Sequence, residues 1–349
     1  MCQLPDLLTF DDATPVRDAA DWSRRRAELL EPLLAIEYGH LPPEPTTTRG
    51  ELLNANTPKR FVGARAAQYR VVCELPAGVC SFRLDLTWPG DAEPCPVILY
   101  GDACWRYRGD DILRLVLKHG YMLAEFSRVE IVPDIGPEGR SQGLHRLCDG
   151  DFGAIAAWAW GYHRCVDVLS GLDAADAERI AVVGHSRGGK TSLLAGATDE
   201  RIALTGSNGS GCGGAGCFRH EGRGAERLEN IIERFPHWFA PGLEQYAGRQ
   251  EELPFDQHAL KAAVAPRALL TTEALEDLWA NPTGTWVTHA AAREVYALLG
   301  VADRIGISYR PGAHRHDYLD WQALVEFADG HFRGITPGRA FNHCPFATA

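Results

Sequence analysis

The stretch Ile180-Ala181-Val182-Val183-Gly184-His185-Ser186-Arg187-Gly188-Gly189-Lys190 constrains the fold more than any other part of the chain. A short β-branched run suited to a strand covered on both faces stops at Gly-x-Ser-x-Gly, and helix-compatible residues follow over 190–197. This pattern describes a sharp strand-to-helix turn. Gly184 and Gly188 lack bulk where the turn is tightest, and Ser186 then stands at the sheet's edge as a candidate nucleophile. Five such residues also occur by chance in Gly-rich loops, so the weight rests on their surroundings.

Short apolar runs recur around the motif at 97–100, 121–126, 202–204, 268–271 and 305–309. Helix-length stretches separate them, including 110–119, 152–169, 288–299 and 320–331. Buried strands alternating with helices predict an α/β chain, a mostly parallel central sheet covered by helices on both faces. Ahead of it, a helix is expected over 21–38, stopped by Gly39 and the Pro42-Pro43 pair. Alternating runs at 68–74 and 81–88 predict an antiparallel N-terminal entry to the sheet. No repeat or Pro-rich linker divides the chain. We therefore expect one α/β-hydrolase domain over 1–349, with an N-terminal helical and β extension to about residue 90 and a substrate-side insertion over about 206–256.

Composition excludes several classes of function. The formal charge of −11 argues against nucleic acid or an anionic membrane as partner, since either requires clustered Lys and Arg. The one dense basic patch, Arg24-Arg25-Arg26, reads as one face of a helix. No run of about eighteen apolar residues is long enough to span a bilayer. Asp11 and Asp12 precede any apolar signal core, and Cys2 has no lipoprotein signal ahead of it. The expected location is cytoplasmic as the chain stands, or secreted or periplasmic if a leader was removed. Ten scattered cysteines without Cys-x-x-Cys spacing read as buried thiols, with no structural zinc site expected.

A serine hydroxyl needs a base to take its proton and a third group to hold that base in the right tautomer. In an α/β-hydrolase these follow in the order serine, acid, histidine, each after a strand at one sheet edge. The run at 268–271 is followed by Glu273, Glu276 and Asp277, and the run at 305–309 by Gly312, His314 and His316. We read His314 as the base, with His316 as its rival, and Asp277 as the acid over Glu276 and Glu273. The Arg187 N–H, with a second amide near Gly101, is expected to form the oxyanion hole. The Arg187 guanidinium adds a permanent charge there, and Lys190 lies one helical turn on. Trp158 and Trp160, in an apolar helix, read as core, whereas Trp238 and Trp279 sit in loop-like sequence as candidate sugar platforms.

Together these residues resemble the glucuronoyl esterases, carbohydrate esterase family fifteen, in their bacterial form. The resemblance rests on Gly184–Lys190, on Ala156-Ala157-Trp158-Ala159-Trp160-Gly161 and on Ser210-Gly211-Cys212-Gly213-Gly214. It extends through Phe235-Pro236-His237-Trp238-Phe239, Pro254-Phe255-Asp256-Gln257-His258, Asp277-Leu278-Trp279-Ala280-Asn281-Pro282 and Gly312-Ala313-His314. It implies a serine esterase on glucuronic or 4-O-methyl-glucuronic acid esters, with Ser186, His314 and Arg187 catalytic, Lys190 and Trp279 at the sugar, and no metal or organic cofactor. Fungal members carry their triad glutamate where this chain has Ser207-Asn208-Gly209, which directs the acid to the later loop and to Asp277. Two alternatives stand beside this reading: a deacetylase of acetylated sugars, and a non-catalytic carbohydrate-binding relative that keeps the fold.

Overall fold

The computed structural model describes residues 3–91, 94–105 and 108–346; Cys2 lies outside them. Its strands are β1 (Thr47–Asn56), β2 (Ala64–Leu75), β3 (Gly78–Pro89), β4 (Cys95–Tyr100), β5 (Met122–Phe126), β6 (Ala175–His185), β7 (Leu204–Asn208), β8 (Ala268–Ala274) and β9 (Ile305–Arg310). They form one sheet in the order β1-β2-β3-β5-β4-β6-β7-β8-β9. The first three strands and the β3–β5 pair are antiparallel, and every pair from β5 to β9 is parallel. This is the α/β-hydrolase sheet with the antiparallel entry expected from the sequence.

The helices are α1 (Ala19–Pro32), α2 (Asp110–Lys118), α3 (Ala154–Leu169), α4 (Arg187–Thr198), α5 (Leu228–Arg234), α6 (Gln257–Ala262), α7 (Pro282–Leu298) and α8 (Tyr318–Arg333). Side chains alternate across a strand, and the central strands feed two cores. Val97, Leu99, Ile180 and Val182 pack with α3 and α4, while Ile98, Tyr100, Ala181 and Val183 pack with α2 and α8. This two-sided burial is why these strands read as continuous apolar runs. Helix α3 is buried on nearly every face, with Trp158 and Trp160 in the core and their indoles donating to Val132 O at 2.9 Å and Pro43 O at 3.1 Å.

Local departures from the sequence reading have identifiable causes. The helix expected over 21–38 is α1 followed by a π-helical turn, Leu33–Tyr38, beyond Pro32. Strand β1 was not expected, because as a mostly exposed edge strand it carries no apolar alternation. The strand expected at 202–204 is instead Leu204–Asn208, small and polar yet buried. A Cβ on Gly206 would lie 3.1 Å from both Leu324 and Val183, so the crowded sheet centre favours glycine there. The three arginines do not share a face. Arg24 lies over Phe10, Arg25 pairs with Asp11 and Glu28, and Arg26 donates to Ala197 O and Ala263 O. Six of the nine cysteines among the described residues are buried, and among those residues no helix is long and apolar enough to cross a membrane.

Candidate active site

The parallel registers align the carboxyl ends of β6 to β9: His185 pairs with Asn208, Asn208 with Thr272, and Glu273 with Tyr309. Residues just beyond those ends therefore meet at one edge of the sheet, where ligands bind in open α/β folds. Ser186 joins β6 to α4 at φ 57°, ψ −120°, a strained backbone for a residue with a side chain. The strain is held by close packing. A Cβ on Gly184 would come 2.1 Å from Gly188 O, one on Gly188 would come 2.1 Å from Asp102 Oδ1, and Ser186 N–H donates to Asn208 O at 2.8 Å.

Beneath the elbow lies an ion pair that the sequence reading missed. Asp102 accepts from His185 N–H at 2.7 Å and pairs with Arg128, both side chains being fully buried. The Arg128 guanidinium lies over the rings of Trp105 and Trp158. Nothing in the sequence spacing of Asp102 and Arg128 signals this pair.

His314 and Asp277 meet across the loops after β9 and β8, with Nδ1 and Oδ2 2.5 Å apart. A carboxylate only accepts, so Nδ1 carries the proton and Nε2 is left as the basic nitrogen. The ring sits 4.5 Å from that of His185 and lies against Gly209, next to the residue that binds Ser186 N–H. Arg310 braces this loop, its guanidinium donating to Ala313 O, Arg315 O and Asp320. His316 is instead half-buried, stacked on Trp321, with both ring nitrogens lacking hydrogen-bond partners among the described residues. Glu276 binds the Gly312 amide. Glu273 is fully buried on β8, where burial first, and the neighbouring Asp277 charge second, raise its pKa well above the usual carboxylate range. Asn208, in the Ser207-Asn208-Gly209 tract, accepts from His185 Nδ1 at 2.6 Å.

Arg187 opens α4, so its N–H is one of the helix's unsatisfied N-terminal amides. The N–H of Gly101 itself is bound to Tyr162 Oη at 2.9 Å, so a second oxyanion donor near it must be a neighbouring amide. Tyr162 in turn donates to Val183 O, tying the ends of β4 and β6 together below the site. The Arg187 guanidinium lies over Trp238, Phe235 and Trp105, and Nη1 donates to Asp134 Oδ2 at 2.6 Å.

Lys190 is buried, its Nζ donating to Ser210 O and, at 2.6 Å, to Cys212 O. Burial lowers its pKa, and the nearby Glu226 charge opposes that. Trp238 is also buried, stacked on Phe235 with its indole donating to Asp134 at 2.9 Å, so it backs Arg187 from behind. Trp279 is 42% exposed and takes Glu226 N–H on its carbonyl at 3.0 Å, which places the Glu226 side chain beside it. Glu226 and Asp134 escaped the sequence reading because each stands in irregular sequence without motif spacing. Among the described residues no three His, Cys, Asp or Glu side chains gather as a metal site.

A strained serine at a strand-to-helix elbow, with a histidine–aspartate pair beside it on an α/β-hydrolase sheet, defines a serine hydrolase of the esterase type. The family model for fungal glucuronyl esterases matches residues 74–300, and the chain belongs to the glucuronoyl esterase family. It is 33% identical to carbohydrate esterase MZ0003 of an unknown prokaryotic organism, over 95% of this chain and 90% of that one. It is 31% identical to 4-O-methyl-glucuronoyl methylesterase 1 of Wolfiporia cocos, over 91% and 77%. Among solved structures, a carbohydrate esterase family 15 glucuronoyl esterase from Caldicellulosiruptor kristjansonii superimposes with a TM-score of 0.86 at 31% identity, over 99% of this chain and 95% of that one.

Proposed function

We propose that the protein hydrolyses esters of glucuronic or 4-O-methyl-glucuronic acid through an acyl-enzyme on Ser186. The observation that carries this is the 2.5 Å contact of His314 with Asp277 beside a serine held at φ 57°. His314 Nε2 takes the Ser186 hydroxyl proton as Oγ attacks the uronoyl carbonyl carbon. The carbonyl oxygen becomes an oxyanion, stabilised by the Arg187 N–H and guanidinium. The carbon–alkoxy bond then breaks, His314 passes its proton to the departing alcohol, and the uronoyl group stays on Oγ. Water next gives a proton to His314 while its oxygen attacks the same carbon. Collapse returns the proton to Ser186 and releases the uronic acid. Asp277 keeps the ring in the required tautomer and offsets the imidazolium charge.

Sugar recognition falls to the wall formed by Lys190, Glu226 and Trp279. Trp279 offers a partly exposed ring with the Arg234 guanidinium over it at 5.0 Å from the ring centroid, Glu226 a carboxylate for sugar hydroxyls, and Lys190 fixes the 210–212 backbone. One sheet running unbroken from β1 to β9 supports treating the chain as one catalytic domain. The test is hydrolysis of methyl or benzyl glucuronate against an acetylated sugar, with Ser186→Ala as control. Turnover of the uronate esters alone, abolished in the control, is expected. Preference for the acetyl ester overturns the uronate reading, and activity surviving Ser186→Ala overturns the serine mechanism.

A further inference from the structure

Arg187 has a long side chain, and an unpinned guanidinium loses catalytic value because transition-state stabilisation depends on preorganisation. The structure pins it. Its flat face lies 4.5 Å from the Trp238 ring centroid and 5.3 Å from that of Phe235, and Nη1 donates to Asp134 Oδ2 at 2.6 Å. Asp134 is itself held: Oδ1 accepts from Trp238 Nε1 at 2.9 Å and from His237 Nε2 at 3.0 Å. Its side chain is 11% exposed, against 27% for Arg187, so the carboxylate lies behind the guanidinium as seen from solvent. Arg187 Nε is buried and has no hydrogen-bond partner among the described residues.

An ester enters the site neutral and leaves as a carboxylate. An unpaired arginine beside Ser186 would hold that carboxylate by a charge-assisted hydrogen bond, the strong kind. With Asp134 against it, the cation is matched before substrate arrives.

We propose that Asp134 is a positioning residue for the esterase reaction, clamping the Arg187 guanidinium toward the oxyanion and balancing its charge so that the anionic product is released. This rests on the reading of Ser186 and Arg187 given above. Asp134 stays ionised for the purpose: burial works to raise its pKa, but the His237, Arg187 and Trp238 contacts outweigh it and hold the group below the usual carboxylate range.

The test compares Asp134→Asn, Arg187→Ala and the double variant on methyl glucuronate, with free glucuronate as inhibitor. Asp134→Asn is expected to lower kcat by about ten- to a hundredfold with KM changed less than about threefold. Inhibition by glucuronate should tighten by at least about threefold, a change that a purely structural role would not produce. On the Arg187→Ala background the Asn substitution should cost less than about threefold, because the group it positions is gone. An undiminished loss on that background, or unchanged glucuronate inhibition, overturns the proposal. Should Asp134→Asn fold poorly, Trp238→Phe removes one bond to Asp134 while keeping the ring. It should lower kcat in the same direction, and a loss that persists undiminished with Arg187→Ala again overturns the proposal. Hydrolysis retained by Ser186→Ala would overturn the serine reading instead, a result separate from every outcome at Asp134.

Discussion

His314 Nδ1 and Asp277 Oδ2, thirty-seven residues apart in the chain, meet at 2.5 Å across the loops that follow the last two strands. Glu276, the adjacent residue, turns to the Gly312 amide, so two neighbouring carboxylates brace one loop in different ways. Asp277→Asn should lower kcat on methyl glucuronate by about 10³–10⁴, because an amide in its place no longer enforces the tautomer. Glu276→Gln should lose less than about fivefold by the same measure, since it keeps an acceptor for the amide. Equal losses in the two variants would refute the assignment of the acid.

The two tryptophans predict different kinetic signatures. Trp279, 42% exposed beside Glu226, should on replacement by Ala raise KM about tenfold with kcat within about threefold, the pattern of lost uniform binding. Trp238→Ala removes the support of both Arg187 and Asp134 and should act mainly on kcat. Steady-state kinetics on one uronate ester distinguishes the two, and matching signatures would count against both placements.

The elbow stands on a buried ion pair, Asp102 with Arg128. Removing one partner leaves the other charged and unmatched in the core, at a cost of about 3–5 kcal/mol. Arg128→Met should shift the urea midpoint accordingly. Arg187→Met, whose partner Asp134 is only mostly buried, should shift it by less. A stable Arg128→Met protein with full activity would show that the pair does not hold the elbow.

Stability should fall on the acid side. Burial holds His185 and His289 down to about 3, from an ordinary value of 6.5. Each is neutral in the folded chain and takes a proton first when unfolded. Their stabilising contribution is therefore full above about pH 6.5 and is lost as pH falls toward 3. Glu37, raised by burial to about 8 from 4.5, acts in the opposite sense, its contribution fading as pH rises between those values. Two histidines outweigh one glutamate below pH 6.5. The thermal midpoint should thus drop from pH 6.5 to 4.5, and His289→Gln should flatten the drop; an unchanged slope in that variant would contradict the assignment.

The sequence by itself determined the central parallel strands and marked Ser186 as the candidate nucleophile. Strands covered on both faces must be apolar throughout, which makes β4, β6, β8 and β9 visible, and the elbow needs Gly184 and Gly188 because a Cβ at either would collide with its surroundings. Chain order alone then pointed to the loops holding Asp277 and His314. It did not distinguish these from Glu273, Glu276 and His316, because burial decides which candidate stays in reach of Ser186, and burial belongs to the packed molecule. The same holds for Gly101, whose amide is engaged by Tyr162 from another helix, and for Trp238, which faces inward. Asp134, Asp102 and Glu226 carry no motif. Their roles arise from contacts between segments distant in sequence, and such contacts exist only once the chain has folded.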